Sequence, residues 1–111
     1  MENNQIPASE TINLKEFIEY AKDSIVSKTL VKYESGTITL FAFDDGQGLS
    51  EHTAPFNALV QIIDGKAVIE IGGKPHEVSA GEAISMPANI SHAVKSQGKF
   101  KMLLTMLKSP T

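Results

Sequence analysis

From Ser27 to Leu107, apolar and polar side chains alternate in short runs, and a glycine breaks the pattern at most turns. A period of two sends successive side chains to opposite faces of an extended chain, so each run reads as a β-strand with a face in a core. Such runs, repeating about every 8–12 residues between turns, specify a closed antiparallel sandwich or barrel. Ser27–Tyr33 and Thr37–Phe43 form the first pair, joined at Glu34-Ser35-Gly36. The pattern predicts further strands at Leu49–Thr53, at Ala58–Ile63 and, beyond a tight turn at Asp64-Gly65, at Lys66–Ile71. His76–Val78, Ile84–Met86, His92–Lys95 and, after a turn at Gln97-Gly98, Phe100–Leu107 complete the set.

The N-terminal part has a different rhythm. Residues 1–12 are polar and read as a flexible terminus. Over residues 13–25 the pattern predicts a helix: Asn13 as N-cap, Glu16 three residues on, then Leu14, Phe17, Ile18, Ala21 and Ile25 at helical spacing. In the strand Thr37–Phe43, Ile38 and Leu40 face one way while Phe41 and Phe43 face the other. A strand apolar on both faces needs cover on both. The core supplies one cover, and the helix or a partner subunit supplies the other. With Leu59 and Ile63 also expected to face outward, a homodimer across the outer sheet is predicted.

Composition narrows the function classes. The 111 residues make a single domain, 1–111. All ten basic residues are Lys and the net charge is −3, so the bidentate Arg contacts that read nucleic acid are absent and no nucleic-acid partner is expected. Cysteine is absent, which removes disulfides and thiolate ligands. No apolar run approaches the ~20 residues of a membrane span, so no membrane partner is expected. The first residues lack a basic and apolar leader pattern, and a cytoplasmic protein is the expectation.

Candidate chemistry lies between Gly46 and His92. Five residues separate Gly46 from His52, Ala54 and Ala58 follow, and six residues separate Ala58 from Gly65. After fifteen intervening residues the second group begins, with Gly81, Pro87 and His92 in register and Asn89 between Pro87 and His92. In these motifs the chain resembles a small single-domain cupin. The resemblance spans roughly residues 27–107 and implies an all-β double-stranded β-helix, a jelly-roll barrel, here with one short N-terminal α-helix. It also implies a metal site built from a His-x-His pair, a Glu and a later His. His52 and His92 stand at the first and fourth of these positions, whereas Ala54 and Ala58 stand at the second and third. Asn89 replaces a motif Gly, which its tolerance of left-handed backbone permits, and Ser96 replaces a final Asn.

His52 and His92 are therefore a weak, incomplete ligand set for one divalent ion (Fe, Mn, Ni, Cu or Zn). Glu51 does not complete it, because its neighbour position points to the opposite face. Neither does Asp45, and His76, beside a Gly-Gly turn, reads as a surface residue. If Ala58 faces inward, Val60 and Ile62 do too, and Phe100, Met102 and Leu104 join them from the last strand. The expected ligand pocket is His52, Ala54, Ala58, Val60, His92 and Met102, holding a small, mostly neutral molecule. Two alternatives stand beside it. One is a metal-dependent dioxygenase or isomerase in which water or substrate completes the two-histidine site. The other is a filled barrel acting as an interaction module. No Ser–His–acid arrangement is legible.

Overall fold

The computed structural model describes residues 5–108. Among the described residues there are seven strands: β1 Ile25–Tyr33, β2 Gly36–Phe43, β3 Leu49–His52, β4 Phe56–Ile71, β5 Lys74–Ser79, β6 Ala83–Met86 and β7 His92–Lys108. All pairings are antiparallel. The two long strands, β4 and β7, pair along their whole length, from Phe56 opposite Lys108 to Ile71 opposite His92. Their bend divides the structure into two layers. In one, β1, β2, the second half of β7, the first half of β4 and β6 lie side by side. In the other the order is β3, the first half of β7, the second half of β4 and β5. The core is packed between them, with Phe43, Val60, Ile62, Ala67, Ile69 and Phe100 all but inaccessible to solvent. The rings of Phe43 and Phe100, cross-strand partners, stack with centroids 4.4 Å apart.

Two expected turns are not turns. Asp64-Gly65 and Gln97-Gly98 lie inside β4 and β7. The β4–β7 register slips on either side of Asp64 and Gly65, and both glycines have positive φ, 71° and 85°. These are bulges that bend a continuous strand from one layer into the other. The residue chemistry of a bulge and of a tight turn is the same, so local sequence does not separate them.

The predicted helix over 13–25 is absent, and no helix occurs among the described residues, hence none long and apolar enough to cross a membrane. Two isolated turns of it form: the Asn13 side chain accepts from the Glu16 N–H (3.2 Å), Asn13 and Leu14 carbonyls accept from Glu16 and Phe17, and the Ala21 carbonyl accepts from Ser24 (3.2 Å). Beyond that, two carbonyls a helix would use are taken by side chains of the sheet. The Lys101 ammonium donates to the Lys15 carbonyl (2.5 Å) and the Lys28 ammonium to the Phe17 carbonyl (2.7 Å). A short helix is marginal without tertiary support, and here the tertiary contacts favour an irregular strap. Leu14, Phe17, Ile18 and Tyr20 still bury against the outer face of the sheet, on Leu30, Leu40, Ala42, Ile63 and Leu103. The strap thus covers the second apolar face of β2, and Ile63 with it. Leu59 and Leu107 remain exposed beyond its reach.

The strap is tied at Tyr20, whose hydroxyl donates to Asp64 Oδ2 (2.7 Å), while Lys15 lies 3.4 Å from Oδ1. Partial burial and this bond push the Tyr20 hydroxyl well above its usual range, and the same bond holds the Asp64 carboxyl below its own. A depressed carboxyl stabilises the fold above its unfolded value and loses that effect as pH falls. A raised phenol stabilises below its unfolded value and loses that effect as pH rises. The contribution is therefore full between about pH 4 and pH 10. Urea denaturation of Tyr20→Phe across pH should show a constant deficit in that window which narrows outside it; a deficit indifferent to pH would refute the tie.

The bulge also makes a prediction. A Cβ on Gly65 would sit 2.2 Å from the Lys99 carbonyl oxygen, whereas one on Gly73, also at positive φ, would meet nothing within 4 Å. Gly73→Ala should cost the left-handed strain alone, about 1–2 kcal/mol, and Gly65→Ala about 2–5 kcal/mol once overpacking adds. Equal losses in chemical denaturation would show that β4 does not press on β7 at this point.

Candidate functional site

The site lies where β3 meets the start of β7. Leu49 pairs with Val94 and His52 with His92, with an irregularity in β3 between them. The loops that deliver the two histidines are fastened together. The Asn89 N–H donates to the Ala54 carbonyl (2.9 Å) and the Ala88 N–H to the Asn57 side-chain oxygen (3.1 Å). Asn89 makes its bond from left-handed backbone, φ 65°. On the far side of β3, Glu51 accepts from the Ser91 hydroxyl (3.2 Å).

The imidazoles of His52 and His92 meet edge to face, with centroids 4.3 Å apart and Nε2 atoms 3.1 Å apart. His52 Nδ1 lies 2.8 Å from the Ser50 carbonyl oxygen, and His92 Nδ1 lies 3.3 Å from that of Ile90. A carbonyl can only accept, so in the tautomer that makes both of these bonds each Nδ1 carries the hydrogen and each Nε2 presents a lone pair. Three contacts then need three hydrogens, and two neutral imidazoles bring two. With both Nδ1 atoms donating, the space between the Nε2 atoms suits something electron-poor: a metal ion or a ligand's donor hydrogen.

Beneath the pair is a cavity of about 140 Å³. Of the six residues expected around a ligand, His52, Ala54, Ala58, His92 and Met102 line it. Val60 does not; it is fully buried in the packed core, the next inward position along β4. Leu104 lines the cavity as expected, but Phe100 belongs to the core floor. Leu49, Phe56, Met86, Val94 and Met106 complete the wall. Phe56 and Val94 were legible as positions two removed from Ala58 and His92. Leu49 was not, because the irregularity in β3 puts residues three apart on one side. Met86 and Met106 are set by register: both are cross-strand partners of Ala58, one on β6 and one on β7. His52 is exposed, His92 half-buried, and the remaining wall carries no ionisable group. His76 is half-buried on β5 opposite Ile69, outside the cavity.

Residues 39–107 match the family described as the cupin domain. The chain is a cupin. No curated protein matches it. Among solved structures, it is similar to a conserved protein of unknown function from Streptococcus pyogenes, with 34% identity over 97% of this chain and 95% of that one and a TM-score of 0.92. A cupin 2 conserved barrel domain protein from Leptotrichia buccalis is 43% identical over 87% of this chain, with a TM-score of 0.85. This cupin spans only 47% of that chain. A cupin superfamily protein from Desulfitobacterium hafniense is 29% identical, covering 94% and 95% of the two chains, with a TM-score of 0.88.

Cupins often bind metals, and the side chains present decide whether a divalent ion fits here. Ala54 and Ala58 bring methyl groups to the cavity wall, and no group of three or more His, Cys, Asp or Glu side chains converges among the described residues. A divalent centre with one carboxylate and three imidazoles does not fit this wall. Charge left uncompensated in so apolar a site is costly. Restoring the missing donors tests the geometry: the double variant Ala54→His, Ala58→Glu should retain one Zn(II) per chain through dialysis, read by elemental analysis, where the parent retains none. A variant that folds but holds no zinc would mean that these four positions do not converge.

Proposed function

We propose that this cupin binds a small, mostly apolar molecule in the cavity beneath His52 and His92, with the imidazole pair holding the molecule's one hydrogen-bond donor. The reading rests on one observation: two bare Nε2 atoms 3.1 Å apart at the head of an otherwise apolar cavity of about 140 Å³. A dry cavity of ~150 Å³ accepts a molecule the size of benzene. The ligand class is therefore a compact ring or branched aliphatic body carrying one hydroxyl or amine hydrogen. Recognition divides between the parts: Met102, Leu104 and their neighbours exclude water from the body, and the histidines select the donor. A carbonyl or ether in that position would face two lone pairs and be disfavoured.

Phenol and toluene have nearly the same shape and differ in this one group, so they test the reading directly. In titrations followed by amide NMR shifts, both should perturb cavity residues, and phenol should bind roughly fivefold more tightly, the worth of one ordinary hydrogen bond. His92→Ala should abolish that preference while still admitting toluene. If neither compound perturbs Met102 or Leu104, the cavity is not a binding site.

A further inference from the structure

The cavity has no carboxylate, but it is rich in sulfur. Met86, Met102 and Met106 all line it, and together they are every methionine of the chain except Met1. Two of them have a particular place. Ala58 stands where the family resemblance expects a metal-binding carboxylate, and its direct partners on the neighbouring strands are Met86 and Met106. Directly opposed residues of an antiparallel pair share a face, with Cβ atoms about 4.5–5.5 Å apart. Thus a thioether side chain stands on each side of the missing carboxylate. Methionine, unbranched and flexible, adjusts its sulfur position readily. The ordinary role of buried methionine is to fill gaps, and Met102, the most buried of the three and opposite Ile62, serves that role here.

We infer that His52, His92, Met86 and Met106 form a site for Cu(I). Three physical points support this ion. First, with the Nε2 atoms 3.1 Å apart, one ion at about 2.0–2.1 Å from each reaches both imidazole nitrogens. Second, each Nδ1 is already committed to a backbone carbonyl, the arrangement that orients histidine ligands and fixes their tautomer. Third, thioether and imidazole without carboxylate are a soft, neutral donor set, which selects Cu(I) over hard divalent ions. A single positive charge is also cheaper than two to place against an apolar wall with no anion to balance it. The ion would supply the electron-poor partner that the two bare Nε2 atoms lack. The inference rests on reading this cavity as a binding site, and it competes with a ligand hydroxyl for the same two nitrogens.

The test uses tag-free protein and Cu(I) alone, delivered anaerobically from a chromophoric chelator. One Cu(I) per chain is expected, with Zn(II) bound far more weakly. His52→Ala should weaken Cu(I) by at least about 100-fold, the upper end of what losing an outer-shell partner costs. The volume-conserving pair Met86→Leu and Met106→Leu should weaken it at least about tenfold while toluene binding persists, since such swaps leave a core nearly intact. Copper X-ray absorption should report nitrogen and sulfur scatterers together, and loading with Cu(I) should erase phenol's advantage over toluene. Unchanged Cu(I) affinity in the leucine pair, or Zn(II) bound as tightly as Cu(I), overturns the assignment. Toluene binding without Cu(I) uptake sinks the copper site alone, whereas loss of both in folded protein sinks the cavity reading with it.

Discussion

The structure depends on the register between β4 and β7. Those two strands pair from Phe56–Lys108 to Ile71–His92 and supply residues to both layers. Each side chain on either strand takes its direction from that ladder, because a slip of one residue would turn the whole inward set outward. The same ladder sets Ala58 beside Met106 and delivers His92 to the end where β3 brings His52. Bulges at Gly65 and Gly98 let the strands bend, and Gly65 lies so close to Lys99 that only a residue without Cβ fits. Closure of the core and placement of the site are therefore one geometric outcome.

The site is defined as much by what its wall lacks as by what it carries. Two methyl groups stand where a metal-binding cupin would place donors, and the space is bounded by thioethers and hydrocarbon. Losing a carboxylate changes which cation a histidine pair prefers. Against an apolar wall it alters a great deal, since an uncompensated charge is penalised in proportion to its desolvation. What remains suits a neutral ligand or a soft monovalent ion. The backbone carbonyls of Ser50 and Ile90 matter for the same reason, because by fixing both Nδ1 hydrogens they leave both Nε2 atoms as acceptors.

Much of this was legible in the residues. The two-faced strand with Leu40 and Phe43 follows from period two alone, and the inward run Ala58, Val60, Ile62 follows once the family resemblance turns Ala58 inward; both appear as read. The left-handed backbone at Asn89 follows from residue chemistry. The helix at 13–25 did not survive, although Leu14, Phe17 and Ile18 do bury one apolar stripe. Their spacing reports which side chains seek cover; it does not report that Lys28 and Lys101, distant in sequence, compete for the carbonyls a helix needs. Likewise Asp64-Gly65 advertises positive φ, and whether the chain reverses or merely bulges there depends on what pairs alongside.

By itself the sequence determined the all-β class, the alternation of inward and outward residues, and the candidacy of His52 and His92, because each is written in spacings of a few residues. Only the tertiary structure decided that Val60 is core rather than wall, that the N-terminal segment is a strap, and that Met86 and Met106 flank Ala58. Those are facts of register between strands distant in sequence, and register is fixed by the simultaneous packing of both layers, which no local pattern encodes.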